Sequence, residues 1–171
     1  MKIENRSIGL KNFNLSNITQ KYISWLNDKS LLKYSRHKNK NFNYKKAIDY
    51  YYYQKKKKNL FLSIFLKKYK KNIGTLTLVY KKNKICNIGI LIGDKKYHNK
   101  GLASNIINLL LKNSYFSTKV KFFEIGTKHG HKSMIKIAKN CKFKMSHKNK
   151  NYIYYRKKNN DYKLEIGILS K

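Results

Sequence analysis

The stretch "ICNIGILIGDKKYHNKGLASNIINLLL", residues 85–111, decides the fold. Residues 85–92 form an apolar run typical of a buried strand, and residues 102–111 are apolar at helical spacing. A basic turn that contains Gly101 separates the two segments. The pattern therefore predicts a strand, a turn and a helix. Gly89 inside the strand is typical of a bulge, or of a point where another backbone or a ligand comes close.

The same hydrophobic periodicity predicts the elements on either side of this stretch. The predicted strands are 3–10, 60–66, 73–80, 120–125, 143–145 and 152–155, with a last one at 164–169, and the other predicted helices are 18–27, 44–54 and 132–140. This order predicts one α+β or mixed α/β domain over residues 1–171, with a central, mostly antiparallel sheet flanked by helices.

The chain length, the hydrophobic content and the cysteines limit which classes of protein this can be. A chain of 171 residues with 41% hydrophobic residues can bury a core of its own. The N-terminus lacks the apolar segment of a signal peptide, and no apolar run approaches the ~18 residues of a membrane span. We therefore expect a cytoplasmic protein that does not bind membranes. Cys86 and Cys141 lack metal-ligand spacing, so we expect two reduced, buried thiols and no metal.

The formal charge of +34 raises the question of nucleic-acid binding. Lysine supplies nearly all of it, because Arg6, Arg36 and Arg156 are the only arginines. Lys, Asn, Ile and Tyr are encoded by A/T-rich codons, so a compositional drift explains the charge without a selected partner. Specific recognition of phosphates and bases favours arginine. We expect nonspecific polyanion affinity at low salt and no specific nucleic-acid partner.

The turn before residues 102–111 has the chemistry of an anion site. The first amides of a helix have no intrahelical partners, and the helix dipole adds positive potential there. Phosphate groups often bind at such a position, and Gly101 lets a ligand approach the backbone. The alternative is an ordinary strand–turn–helix connection whose glycine only makes the turn.

The turn resembles the acyl-CoA signature of the GNAT N-acetyltransferase superfamily, Arg/Gln-x-x-Gly-x-Gly/Ala, which here is residues 98–103 with His98 at the first position. Further segments occur in the order found in the RimJ/RimL-like branch of that superfamily, several members of which acetylate amino sugars. These segments are "YISWLND" (22–28), "YSRHK" (34–38), "NIGILIGDKKYHNKGLA" (87–103) and "GTKHGHKSMIKIAKNCKF" (126–143).

The resemblance implies acetyl-CoA as cosubstrate and a place for it. The strand that contains Ile90, Leu91 and Ile92 would splay from the strand 120–125, and its open edge would bind the pantetheine arm like an added strand. A backbone N–H near residues 89–91 would hold the developing oxyanion. The pyrophosphate would lie on the turn, whose expected contact residues are His98, Asn99, Lys100, Gly101, Leu102, Ala103 and Ser104.

The sequence also departs from the family pattern. His131 occupies the place of a usual Asn, and Met134 the place of a frequent Ser. Ala138 stands where many members have the Tyr that protonates the leaving thiolate, and Lys142 stands where they have a Gly. The usual general acid is therefore missing from its expected position.

Few residues remain for the proton transfers. Glu124, on the strand beside the expected splay, is the candidate base, and His131 is a candidate acid or cosubstrate contact. Arg36 and His37 match a loop that faces acceptors in relatives, and Arg36 suits an anionic group. Each also has a structural interpretation: Glu124 as the partner of a lysine, His131 as a polar turn residue, and Arg36 and His37 as part of a solvated loop.

These observations predict an acetyl-CoA-dependent N-acetyltransferase that acts on a primary amine by direct attack on the thioester. A nucleotide-linked amino sugar is the first expected acceptor and a protein N-terminus is the second. The expected partner is thus a small-molecule amine, and a homodimer stays open. The rival class is a noncatalytic, basic protein that binds RNA or another polyanion.

Overall fold

The computed structural model describes residues 2–161, which form eight strands and four α-helices. The strands are β1 (Lys2–Glu4), β2 (Ile8–Asn12), β3 (Leu60–Leu66), β4 (Lys71–Lys81), β5 (Ile85–Ile92), β6 (Phe122–Lys128), β7 (Lys144–Lys148) and β8 (Tyr152–Lys158). The helices are α1 (Gln20–Asn27), α2 (Tyr44–Lys56), α3 (Leu102–Leu111) and α4 (Lys132–Asn140).

The eight strands form one sheet in the order β1-β2-β3-β4-β5-β6-β8-β7. Only β5 and β6 pair in parallel, and α3 lies in the connection between them. The other neighbouring strands are antiparallel. The predicted α+β fold with a mostly antiparallel sheet is therefore confirmed.

Each face of the sheet carries its own hydrophobic core. On one face, α3 and α4 pack on the larger core, to which α3 contributes Ile106, Ile107 and Leu110. On the other face, α1 and α2 cover a smaller core centred on Tyr22 and Trp25. Two layers of helices thus enclose the sheet, since each apolar strand face must be covered.

Side-chain caps define where the first two helices begin. Thr19 accepts a hydrogen bond from the Tyr22 amide at 3.2 Å, so α1 begins at Gln20 rather than at the predicted Ile18. Asn43 accepts from the Lys46 amide at 2.9 Å and starts α2 where the sequence predicted it.

Three predicted strands differ from β4, β7 and β8 only in their bounds, and two others differ in a way that has a visible cause. Residues 3–10 form a hairpin of β1 and β2 rather than one strand, because the side chain of Asn5 accepts from the amides of Ser7 and Ile8 and turns the chain. The strand predicted at 120–125 begins at Phe122 and continues to Lys128, since pairing with β8 extends to that residue. The predicted strand 164–169 lies outside the described residues.

The two cysteines are free and buried, as predicted. Burial raises the pKa of the Cys86 thiol to about 12, so this group stays protonated. Within residues 2–161, no helix is both long enough and apolar enough to cross a membrane.

Candidate active site

Strands β5 and β6 form a fork. They pair only where Ile85, Cys86 and Asn87 lie opposite Phe122, Phe123 and Glu124. Beyond this point β5 stays paired with β4 as far as Ile92, and β6 stays paired with β8 as far as Lys128. The two strands therefore diverge, with the expected splay, and the edge of β5 that faces β6 is open to a ligand.

The outer end of β5 leads into the basic turn. His98 Nε2 lies 2.7 Å from the Ile92 carbonyl oxygen. A carbonyl only accepts, so this ring nitrogen carries the proton and donates. The histidine that replaces Arg or Gln of the family signature thus ties the turn to the last residue of β5.

Gly101 is the N-cap of α3 and has a left-handed backbone, with φ of +69°. The first helical hydrogen bond runs from the Asn105 amide to the Gly101 carbonyl, so the amides of Leu102, Ala103 and Ser104 precede the helical ladder. A Cβ atom built on Gly101 would have no neighbour within 4 Å, so the space above the turn is open. These amides without a helical partner and the open space fit the pyrophosphate of acetyl-CoA.

Glu124 lies at the apex of the fork and is 1% exposed. Its Oε1 accepts from Lys81 Nζ at 2.6 Å and from Asn87 Nδ2 at 3.1 Å, and its Oε2 accepts from Arg156 Nε at 2.9 Å. Burial alone would raise the pKa of Glu124, but the bonds to Lys81 and Arg156 outweigh burial and lower it. Both carboxylate oxygens are therefore engaged, and the ion cluster and Asn87 together join four strands, β4, β5, β6 and β8.

The contacts of Glu124 bear on its expected role as base. An acceptor amine must displace Lys81 or Asn87 to reach Oε1, and the lowered pKa weakens the carboxylate as a proton acceptor. This geometry favours the structural interpretation of Glu124. The catalytic role stays a prediction that mutation can test.

His131 lies beside the outer arm of β6. Its Nδ1 is 3.0 Å from the hydroxyl oxygen of Thr127, and its ring stacks on Tyr34 with centroids 4.4 Å apart. Burial lowers the pKa of His131, so the neutral imidazole predominates at pH 7. A neutral imidazole on this arm of the fork can accept a proton.

Arg36 and His37 lie in the crossing loop, which we define as residues 28–43 between α1 and α2. The Arg36 guanidinium lies 5.2 Å from the ring centroid of Tyr152, a residue paired with Lys128 at the end of β6. His37 instead contacts the rings of Phe42 and Tyr50 in the smaller core. The loop thus brings Arg36 to the start of β8, beside the outer end of β6, and places His37 against the smaller core.

Sequence reasoning missed Tyr154, which lies opposite Gly126 on β6. A Cβ atom on Gly126 would come within 2.8 Å of the Tyr154 ring, so this ring covers the glycine beside the apex. His147 stacks on the other side, with ring centroids 4.3 Å apart. The alternation in "YIYY", residues 152–155, is the signal that places Tyr152 and Tyr154 on one face.

The structure shows where the residues that depart from the family pattern lie. Ala138 and Met134 are buried in the larger core, and neither side chain has an ionisable proton, so neither can act as an acid. Lys142 has φ of +60°, the left-handed conformation that favours a glycine. The Lys142 amide donates to the Lys139 carbonyl, and the Phe143 amide donates to the Ala138 carbonyl. This is the hydrogen-bond pattern of a Schellman motif, which ends a helix.

The sequence and the fold of the chain were compared with those of known proteins. The sequence model described as acetyltransferase (GNAT) domain matches residues 8–144. No curated protein sequence gives a significant match.

Several solved structures resemble the chain as a whole. A GNAT-family acetyltransferase from Bacillus anthracis is 16% identical, with a TM-score of 0.79 and coverage of 93% of this chain and 99% of its own. The ribosomal L7/L12 α-N-protein acetyltransferase RimL, in complex with coenzyme A, is 13% identical, with a TM-score of 0.77 and coverage of 92% and 98%. The microcin C7 self-immunity acetyltransferase MccE, in complex with acetyl-CoA and AMP, is 21% identical, with a TM-score of 0.75 and coverage of 90% and 93%.

Proposed function

The chain belongs to the GNAT acetyltransferase family, so it is an acetyl-CoA-dependent acetyltransferase, and we propose that its acceptor is the primary amine of a nucleotide-linked amino sugar. The fork between β5 and β6, which opens on the strand that leads into the Gly101 turn, supports the acetyl-CoA site, and the position of Arg36 in the crossing loop carries the proposed acceptor. Family membership sets aside the noncatalytic alternative.

Acetyl-CoA supplies an acetyl group already activated as a thioester. The residues proposed to hold it are those of the open β5 edge at Ile90, Leu91 and Ile92, and those of the turn from His98 to Ser104. The turn presents amides and the charge of Lys100 to the pyrophosphate, while the β5 edge presents backbone donors and acceptors to the pantetheine arm. A β5 amide near Gly89, which is exposed, would hold the oxygen that becomes negative.

The acceptor amine must arrive neutral or lose its proton near the fork. His131 is the proposed proton acceptor, because burial keeps it neutral and Thr127 fixes its ring. Glu124 is the second candidate, and its three partners make it better suited to hold the apex of the fork rigid.

The proposed nucleotide-linked acceptor rests on the crossing loop. Arg36 lies over Tyr152, beside the outer end of β6, and carries the charge that a phosphate requires. The likeness to MccE, whose structure is a complex with acetyl-CoA and AMP, supports an acceptor of this class. The likeness to RimL supports the alternative, a protein N-terminus.

A panel of acceptors tests the proposal. The purified chain is given acetyl-CoA with a nucleoside-diphosphate-linked amino sugar, the free amino sugar, spermidine or a peptide that begins with Ser, and release of the CoA thiol is followed. We expect kcat/KM for the linked sugar to exceed that for the free sugar at least tenfold, about 1.4 kcal/mol of transition-state binding. A linked sugar without the amine is the control and should give no turnover. Fastest turnover with the peptide would overturn the proposed acceptor.

A further inference from the structure

A cavity of about 710 Å³ opens in the crossing loop, away from the turn and the β5 edge. It is lined by three asparagines and four lysines, Lys29, Lys33, Lys38 and Lys40. We name this cavity the lysine basin.

The wall of the lysine basin is a closed and anchored loop. Asn27 Nδ2 donates to the Phe42 carbonyl and Asn27 Oδ1 accepts from the Phe42 amide, each at 2.8 Å, which joins the two ends of the loop. Leu32 and Phe42 are buried and fix the loop to the body of the protein. The basin is therefore held in shape by Asn27, Leu32 and Phe42 rather than by its lysines.

The charge of the lysine basin has no internal balance. The loop contains one carboxylate, Asp28, whose Oδ2 lies 2.6 Å from Lys95 Nζ outside the basin. Across residues 2–161, none of the four basin lysines forms an ion pair with a carboxylate. Four ammonium groups around one concavity produce a positive potential that attracts a multivalent anion.

A second basic cavity nearby shows the contrast. It is lined by Lys21, Lys71, Lys95 and Lys96, but also by Asp28 and Asp94. Asp94 pairs with Lys71 at 2.9 Å and with Lys21 at 3.4 Å. Lys95 pairs with Asp28 as well, so three of the four lysines in that cavity have a carboxylate partner, whereas none of the four in the lysine basin has one.

The lysine basin belongs to the same loop that borders the fork. Tyr34 stacks on His131, and Arg36 lies over Tyr152. Both contacts are made by residues between Lys33 and Lys38, which line the basin. A ligand whose anionic part lies in the basin can therefore extend along the loop toward the fork.

We propose that the lysine basin binds the diphosphate of the acceptor. The protein then recognises the acceptor at two places, its phosphates in the basin and its amine at the fork. Ammonium groups act as point charges on flexible stems, which suits a diphosphate that can adopt several geometries. This inference rests on the proposed function for the position of the amine, and it adds the residues that recognise the phosphates.

The test is calorimetry with ADP as the diphosphate probe, on protein saturated with CoA so that the Gly101 turn is filled. The basin variant carries K29Q, K33Q, K38Q and K40Q. The control variant carries K55Q, K56Q, K57Q and K58Q at the end of α2, which removes the same charge from exposed positions outside the basin. All eight side chains are exposed, so both variants should fold, which circular dichroism checks.

We expect the Kd for ADP to rise at least tenfold in the basin variant and less than threefold in the control, with the Kd for CoA changed less than threefold in both. Equal losses of ADP affinity in the two variants would show that net charge alone binds ADP and would overturn the proposal. A selective loss of CoA affinity in the basin variant would assign the lysines to the cosubstrate instead. Binding of a 20-nucleotide RNA through the basin, without ADP binding, would replace the diphosphate with a polynucleotide. Failure of the wild type to bind CoA would count against the proposed function. The Kd values for ADP of the basin and control variants would still test whether the lysine basin binds a diphosphate.

Discussion

Asn87 on β5 and Glu124 on β6 are the last paired residues before the two strands diverge, and their side chains are joined by a hydrogen bond of 3.1 Å. This contact marks the apex of the fork. Lys81 and Arg156 reach the same carboxylate from β4 and β8, so four adjacent strands meet at one buried charge. A rigid apex keeps the two arms of the fork at a fixed separation.

Glu124→Gln tests what the ion cluster does. The variant leaves Lys81 and Arg156 without an anionic partner, and we expect the free energy of unfolding to fall by about 1–2 kcal/mol, less than for a fully buried pair because both cations are partly exposed. Chemical denaturation measures this loss.

The same variant separates the structural role of Glu124 from a role as base. If the cluster only holds the apex, turnover falls by less than about tenfold and the shape of the pH–rate profile is retained. A loss of turnover of about 10²-fold or more that shrinks at high pH, with unchanged acetyl-CoA affinity, would instead identify Glu124 as the base.

Gly101→Glu tests the turn, with Gly101→Ala as its control. Both side chains must adopt a φ of +69°, so both variants should lose about 1 kcal/mol of stability. Only the glutamate brings a negative charge to the amides of residues 102–104. We expect CoA to bind Gly101→Glu at least tenfold more weakly than Gly101→Ala. Equal affinities by calorimetry would remove the pyrophosphate from this turn.

Lys142→Gly should stabilise the protein. Lys142 has φ of +60° at the end of α4, where a glycine avoids the steric cost of a Cβ atom, so we expect a gain of about 1 kcal/mol. Lys136→Gly, at an exposed position inside the same helix, is the control and should cost about 0.5–1 kcal/mol. Thermal unfolding of both variants gives the comparison, and destabilisation by Lys142→Gly would contradict the strained cap.

His37→Phe should reduce the dependence of stability on pH. Burial, and then Lys40 and Arg36, lower the pKa of His37 in the folded protein, so the unfolded chain binds this proton first. The stability is therefore complete above the ordinary His range, about pH 6.5, and is lost as the pH falls. The Tm of the wild type should drop between pH 7.5 and 5, and that of the variant should drop less. His131 has a lowered pKa as well, so part of the dependence remains. Equal drops would show that His37 does not contribute.

The local elements could be predicted from the sequence because their signals are local. The apolar run of β5, the spacing of α3 and the glycine between them lie within 27 residues, 85 to 111, and the structure agrees with each. Asn5 is a further local signal, because its side chain accepts from two amides in the turn that joins β1 to β2, and it marks the break in the predicted strand 3–10.

The partners of the site residues could not be predicted in this way. Glu124 meets Lys81 and Arg156 from strands far apart in the sequence, and a chain with many lysines gives no means of choosing among them. The opposite orientations of Arg36 and His37 depend in the same way on Tyr152 and Tyr50, which the sheet and α2 position. Which side chains meet depends on the register in which strands far apart in the sequence pair. Hydrophobic periodicity within one strand does not determine that register.

We propose, above all, that the open edge of β5 and the Gly101 turn bind acetyl-CoA. Amide hydrogen exchange of the wild type, with and without CoA, tests it most directly because the claim concerns backbone N–H groups. We expect CoA to slow exchange in residues 88–92 and 99–104 at least tenfold and to leave residues 28–43 unchanged. Protection confined to other segments, or none at all with CoA bound, would contradict the account.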